Sequence, residues 1–284
     1  MKRMKAKLLI PLLVAPVLLT RCSCDFFGTT GALFISEQDE IKLGTQFDTR
    51  LRTNDTARAE FPLYQPRAGR PDDTLFQAYV TNLAQEVLAA VPASERPDFP
   101  FKFTIIDKDI ENAFAVPGGY VYIYTGIIKK MRDESELTGV LGHEIAHVTQ
   151  HHYRDAMAKD AALGLLVQAL VGNDSSQLVQ LVAGSFFQLA ELKVSRGNES
   201  EADEFGTKYE GRTGRNPLGI AKFFSRISGQ GFAWFSSHPD PPDRVQNVTA
   251  QVGRDAALTL LAQDSLRTNY QARFAAGTKA LFQK

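Results

Sequence analysis

The sequence predicts an α+β fold, mostly helical, with one small sheet beside a helix that carries a histidine motif. Three observations predict it. Amphipathic helical patterns flank a single β-rich block at residues 101–125. Inside that block YVYIYT (120–125) is the strongest strand pattern in the chain, all aromatic and β-branched residues up to a closing threonine. From Asp133 the period turns helical to about Met157, and that stretch holds four of the five histidines, His143, His147, His151 and His152; the fifth is His238.

The elements follow in chain order. Lys2, Arg3, Lys5 and Lys7 precede thirteen uncharged residues, Leu8–Thr20, that include Pro11 and Pro16. A spanning helix needs about 20 apolar residues, so residues 1–24 read as an export leader rather than an anchor. Leu19-Thr20-Arg21-Cys22-Ser23-Cys24 resembles a bacterial lipoprotein signal, with Cys22, or Cys24 two residues on, as the lipidated position; Arg21 departs from its small-residue box. An ordinary cleaved leader is the other reading. Ser23 after Cys22 would direct the lipoprotein to the outer membrane, Asp25 after Cys24 to the inner one.

Residues 25–71 are expected to form a tether and one helix. Ser36-x-x-Asp39 opens that helix as a capping box with Asp in place of Glu. Ile41, Phe47 and Leu51 continue it to about Arg52, and residues 53–71, with three prolines, read as a loop. A second helix, 72–91, carries Leu75, Tyr79, Leu83, Val87 and Val91. Phe101, Phe103 and Ile105 alternate with polar residues as a strand with one wet face, and Pro117-Gly118-Gly119 punctuates the block. Residues 161–190 are apolar but broken by Gly172–Ser176, which predicts a helical hairpin, packed on the core or serving as a lid. Residues 251–284 read as a C-terminal helical extension carrying Ala256, Leu260, Ala275 and Leu281.

Composition excludes several classes of function. The 284 residues hold 32 basic and 32 acidic groups and are 44% hydrophobic, so neither disorder nor an electrostatic nucleic-acid binder fits. Loss of Lys2, Arg3, Lys5, Lys7 and Arg21 with the leader leaves 27 basic against 32 acidic groups, a mildly acidic exported chain. Two cysteines at the leader's end cannot build a disulfide scaffold or a cysteine zinc finger.

The chemistry concentrates in His143-Glu144-Ile145-Ala146-His147. Residues i and i+4 stack on one helix face, so both imidazoles can address one metal ion, and Glu144 can reach a water beside it. Catalytic zinc takes three protein ligands and leaves a place for water. A third histidine by the metzincin spacing is excluded, because Gln150 and Tyr153 hold the required glycine and histidine positions. An acidic ligand on a later helix remains, and Asn198-Glu199-Ser200-Glu201-Ala202-Asp203 offers it. Glu199 and Asp203 share a face, one to bind metal and the other to fix a ligand histidine. Glu201 points about 200° away from Glu199 and is the weaker choice.

HEIAH followed by Glu199-x-x-Ala202-Asp203 resembles the gluzincin peptidases of metallopeptidase family forty-eight, which includes HtpX and the CAAX prenyl endopeptidase, and within it the exported BepA-like members. Asn112–Gly119, Ser135–Leu141 and Ser237-His238-Pro239 with Arg244 resemble further family segments, so that the likeness spans roughly residues 36–250. The resemblance implies a zincin-like metallopeptidase domain at 72–250, with the small sheet beside the active-site helix. It implies one Zn(2+) per chain held by His143, His147 and Glu199, with Glu144 as general base and proton donor and Asp203 orienting a ligand histidine. His238 would stabilise the oxyanion or occupy the water's place on zinc. Arg244 would contact oxyanion or substrate, or form a structural ion pair, and His151 and His152 would be structural or surface residues.

The expected function is zinc-dependent hydrolysis of peptide bonds in unfolded or misassembled proteins of the bacterial envelope. The chain would be periplasmic and membrane-attached through its N-terminal lipid. If YVYIYT were an edge strand by the cleft, it would hold an extended client by β-augmentation. The alternative is a chaperone-like assembly factor whose zinc site is plugged by His238. Cleavage of prenylated CAAX termini does not fit a chain without multiple membrane spans.

Overall fold

Helix α1 (Glu37–Thr53) starts where its capping box sets it. The Asp39 N–H donates to the Ser36 hydroxyl at 3.2 Å, and the Ser36 N–H donates back to the Asp39 carboxylate at 3.0 Å. The computed structural model describes residues 35–159, 190, 192–227, 231–238, 243–263 and 268–283. The leader with Cys22 and Cys24, the tether up to residue 34 and the predicted hairpin over 161–189 lie outside the described residues.

α1 buries Leu43, Phe47 and Leu51 at intervals of four, with Ile41 only partly covered. The expected loop at 53–71 holds a helix after all, α2 (Asp55–Glu60). Asn54 caps it by accepting from the Ala57 N–H, a start signal concealed in a polar stretch. α3 (Pro71–Ala89) forms as predicted, with its proline at the first turn. Its buried face is Phe76, Val80, Leu83 and Val87; Leu75 is 61% exposed, one position off the stripe read from sequence.

Three strands make the sheet: β1 (Lys102–Ile106), β2 (Ala113–Val116) and β3 (Tyr120–Tyr124), in the order β1-β3-β2. β1 runs parallel to β3 and β2 antiparallel, the latter pair joined through Gly118 and Gly119 at φ 80° and 93°. YVYIY is therefore the central strand and not an edge, which removes it as a docking edge for an extended peptide. Its five residues are all buried because helices cover both faces. On one face Tyr122 stacks on its cross-strand partner Phe114 (4.9 Å) and meets Phe47 of α1 edge-on (5.5 Å). On the other, Ile105, Ala113 and Ile123 pack with Phe76, Leu83 and Leu141. β1 lacks the one clean wet face expected of it, since Phe103 and Thr104 are both half-covered and Ile105 and Ile106 both buried. Leu63 bridges the outer edge of β1, and on β2 the Ala115 N–H donates to the Tyr153 hydroxyl at 3.3 Å.

After a short helix α4 (Thr125–Lys130) comes α5 (Glu134–Thr149), the histidine-motif helix. Asp133 caps it by accepting from the Ser135 and Glu136 N–H groups. All sixteen of its residues are buried, so it is the fold's central pillar. The single helix expected from Asp133 to Met157 is in fact two. α5 ends at Thr149, His151 adopts φ 54°, and α6 (His152–Lys159) starts anew. A left-handed residue just past a helix end is a standard stop, usually glycine; here histidine fills it, held by Glu40 at 2.9 Å.

α7 (Arg196–Arg212) crosses α5, and α8 (Gly219–Ile227), the one-turn α9 (Trp234–Ser237) and α10 (Arg244–Arg254) close around them. α11 (Ala256–Gln263) and α12 (Thr268–Gly277) are helical as predicted, but Leu258 and Phe274 are their buried anchors while Leu260 is 69% exposed. No helix among the described residues is long and apolar enough to cross a membrane.

Candidate metal centre

His143 and His147 sit one turn apart on α5, fully buried, with their Nε2 atoms 3.0 Å from each other. Glu199 reaches them from α7, whose start is capped by Ser195 accepting from the Asn198 N–H. α7 comes this close because the two helices cross on glycines. A Cβ on Gly142 would stand 2.9 Å from the Gly206 carbonyl oxygen, and one on Gly206 would stand 2.8 Å from the His143 nitrogen. The crossing lies immediately before the first motif histidine. It sets Glu199 Oε2 3.5 Å from His143 Nε2 and Oε1 3.5 Å from His147 Nε2.

His238 completes the group. α9 hangs on the backbone by Trp234 N–H donating to the Glu111 carbonyl, and its end delivers His238 Nδ1 to 2.9 Å from Glu199 Oε1 and 3.5 Å from His143 Nε2. One ligand atom from each of His143, His147, Glu199 and His238 lies within 4.8 Å of the others, all four side chains buried. Glu144 flanks the cluster. Its Oε1 accepts from the Trp234 indole N–H at 3.3 Å and lies 3.6 Å from His238 Nε2, while its Oε2 has no partner.

The site's electrostatics follow from these contacts. Burial pushes the His143 imidazole down, but the Asp203 and Glu199 carboxylates outweigh it and raise its pKa to about 9. Burial and the neighbouring His143 charge hold His147 well below its usual value. For Glu199 burial acts upward, yet His238, His143 and His147 keep its carboxyl well below the usual range. Asp203 is likewise desolvated, and Arg244 and His143 bring it down.

The predicted residues therefore converge, with Asp203 and Arg244 just behind them. Asp203 Oδ1 lies 2.9 Å from His143 Nδ1, the ring nitrogen that faces away from the cluster. Arg244, 2% exposed, grips Asp203 through two nitrogens at 2.6 and 2.7 Å, stands 3.1 Å from Glu199 and stacks over Phe224 at 4.0 Å. Of the two roles open for it, the geometry shows the ion pair. His151 is 25% exposed and pairs with Glu40. His152 was grouped with it in the sequence, yet is buried against His147, with Glu201 at its far side. Trp234 is the other contact that sequence reasoning missed. Its place four residues before His238 was the available signal, since that spacing spans one turn.

A buried HExxH helix over a small sheet, with a carboxylate from a later helix closing on the two histidines, defines the zincin-like class of metallopeptidase fold. Comparison with known proteins agrees. The family model for peptidase family M48 matches residues 77–252, more than half of the chain, and the chain belongs to that family. A relative from Vibrio cholerae is 32% identical over 236 residues, 77% of this chain and 45% of its own. The beta-barrel assembly-enhancing protease of Yersinia pestis is 30% identical over 211 residues, 68% of this chain and 42% of the relative. Metalloprotease LoiP of Escherichia coli K12 is 29% identical over 157 residues, 52% of this chain and 61% of the relative. The chain spans less than half the length of the first two relatives.

Proposed function

We propose that the chain is a zinc-dependent endopeptidase of the bacterial cell envelope, acting on misfolded or misassembled proteins. The observation that carries this reading is the convergence of His143, His147 and Glu199 with Glu144 at their rim. The donor set fits a divalent ion. Imidazole and carboxylate suit zinc, and one ligand atom from each of His143, His147, Glu199 and His238 lies within 4.8 Å of the others in a fully buried group, the donor set and spacing a single ion needs. His143, His147 and Glu199 would hold one ion, which supplies Lewis acidity that lowers the pKa of water and polarises a peptide carbonyl. Glu144, with its free Oε2, would take the proton of the attacking water and return it to the leaving amine. Trp234 fixes the other oxygen of Glu144 and so aims it.

His238 supports a second reading. It stands among the ligands, where a fourth protein ligand leaves no place for water, as in an envelope assembly factor that seldom cuts. Two of the relatives are named beta-barrel assembly-enhancing proteases, which supports protein clients tied to β-barrel assembly for either reading. Export and a lipid on Cys22 belong to the same proposal and rest on residues 1–24; loss of membrane association on Cys22→Ala tests the anchor.

Zinc content and casein cleavage test the function. The parent chain is expected to hold zinc near one per chain, and Glu144→Gln to lower cleavage by about 100- to 10,000-fold with zinc retained. Unchanged cleavage in that variant would overturn the peptidase reading. If His238 plugs the site, His238→Ala raises cleavage; bound zinc with no cleavage in either form favours the assembly factor.

A further inference from the structure

We propose that His152 is a positioning residue for the metal ligand His147, anchored in turn by Glu201. This rests on the reading of His143, His147 and Glu199 as a metal site. The Nε2 atoms of both motif histidines turn inward to the cluster, so each ring must use Nδ1 to hold its orientation. For His143 that partner is Asp203. For His147 it is His152, whose Nδ1 lies 2.9 Å from His147 Nδ1, with the His152 ring only 2% exposed.

The proton assignment closes without remainder. A histidine that binds metal through Nε2 carries its proton on Nδ1 and donates it. His152 Nδ1 must then accept, which places the His152 proton on Nε2. Glu201 Oε2 stands 3.3 Å from that nitrogen and is an acceptor only. His147 thus donates to His152, and His152 donates to Glu201.

The break between α5 and α6 exists at the place this arrangement needs. On an unbroken helix, residue 152 would sit about 140° around from residue 147, facing elsewhere. The left-handed residue His151 breaks the helix there, and His152 instead packs behind His147. Asn198 adds a second tie, its side-chain amide donating to the His152 carbonyl at 3.5 Å. Glu201 is half exposed, so it can be altered without opening the core.

Zinc affinity by chelator competition, with ring-nitrogen NMR on the zinc-loaded chain, tests this. His152→Ala is expected to weaken zinc binding by about 10- to 100-fold. His152→Asn places an amide oxygen near the old Nδ1 and should restore most of it. Glu201→Ala should weaken binding by a few fold without affecting folding. In the parent, NMR should show His147 protonated on Nδ1 with a hydrogen-bonded proton that exchanges slowly. Equal losses for the alanine and asparagine variants, or affinities unchanged in all three, would overturn the proposal. A freely exchanging His147 Nδ1 proton in the parent would also overturn it, and this needs no variant to fold. A parent chain that binds no zinc would defeat the metal-site reading itself, which separates that failure from this one.

Discussion

The two motif histidines are alike in sequence and burial, but the structure supports them by opposite means. Behind His143 stands a carboxylate, Asp203, locked to the buried guanidinium of Arg244. Behind His147 stands a second imidazole, His152, whose far side reaches the half-exposed Glu201. The first support is charged and dry. It fixes a ring firmly, but it commits two desolvated charges to each other, so neither can be removed alone without a large penalty. The second support is uncharged along the buried step and meets its carboxylate only near solvent, where screening and water limit what is lost. Orientation of a ligand can therefore be coupled to folding on one side of a site and largely free of it on the other.

The largest expected effect breaks the charged side. Asp203→Ala leaves Arg244 buried with Glu199 as its remaining carboxylate, and should cost about 3–5 kcal/mol of stability, with zinc affinity falling about 10- to 100-fold. Adding Arg244→Met to Asp203→Ala removes the stranded cation and should return much of the stability. Affinity should stay weak, because His143 still lacks its acceptor. Thermal melts and zinc titrations of the single and double variants check both halves. Recovery of affinity along with stability would mean that Asp203 serves only the fold and that the two histidines are not supported in parallel.

This asymmetry explains which parts of the molecule were legible in sequence. His143, Glu144 and His147 were readable because helical spacing alone stacks them. Glu199 and Asp203 followed from the need for an acidic ligand and their own spacing of four. His152 was not readable, because its position depends on a left-handed turn at a histidine, where sequence signals lead one to look for glycine. The capping box at Ser36 was legible as a local pattern, whereas the Asn54 cap of α2 was lost in a polar run that also suits a loop. The central place of Tyr120–Tyr124 was legible in principle. A strand with no polar residue on either face needs cover on both, which an edge beside a cleft does not have. The strand packed on the motif helix is instead Ala113–Val116, which was legible only through the likeness of Asn112–Gly119 to a family segment, because four residues are too few to show a strand period.

A third buried carboxylate on the same helix as Glu199 and Asp203 sharpens the contrast, because among the described residues no cation forms an ion pair with it; Lys222 and Arg215 act on it only from a distance. Glu210 is fully buried, accepts from the Thr138 hydroxyl at 3.0 Å and leaves Oε2 without a partner. Burial pushes its pKa well above 4.5, the reverse of Asp203 beside Arg244. The native state therefore keeps a proton that the unfolded chain releases. This group's contribution is fully present below pH 4.5 and is lost as pH rises toward its native value. Glu210→Gln keeps an acceptor for Thr138 and removes the ionisation, so it should stabilise the chain by about 1 kcal/mol at pH 8. The gap between variant and parent should shrink as pH falls to 5. Melts of both proteins across that range measure it, and a gap independent of pH would show that Glu210 is ionised in the folded protein and finds its counter-charge elsewhere. Asp203 should show the opposite slope, since Arg244 and His143 favour its charged form. Two carboxylates seven residues apart on one helix would then respond to pH in opposite directions, set apart by the guanidinium that grips Asp203 directly and by burial that dominates at Glu210.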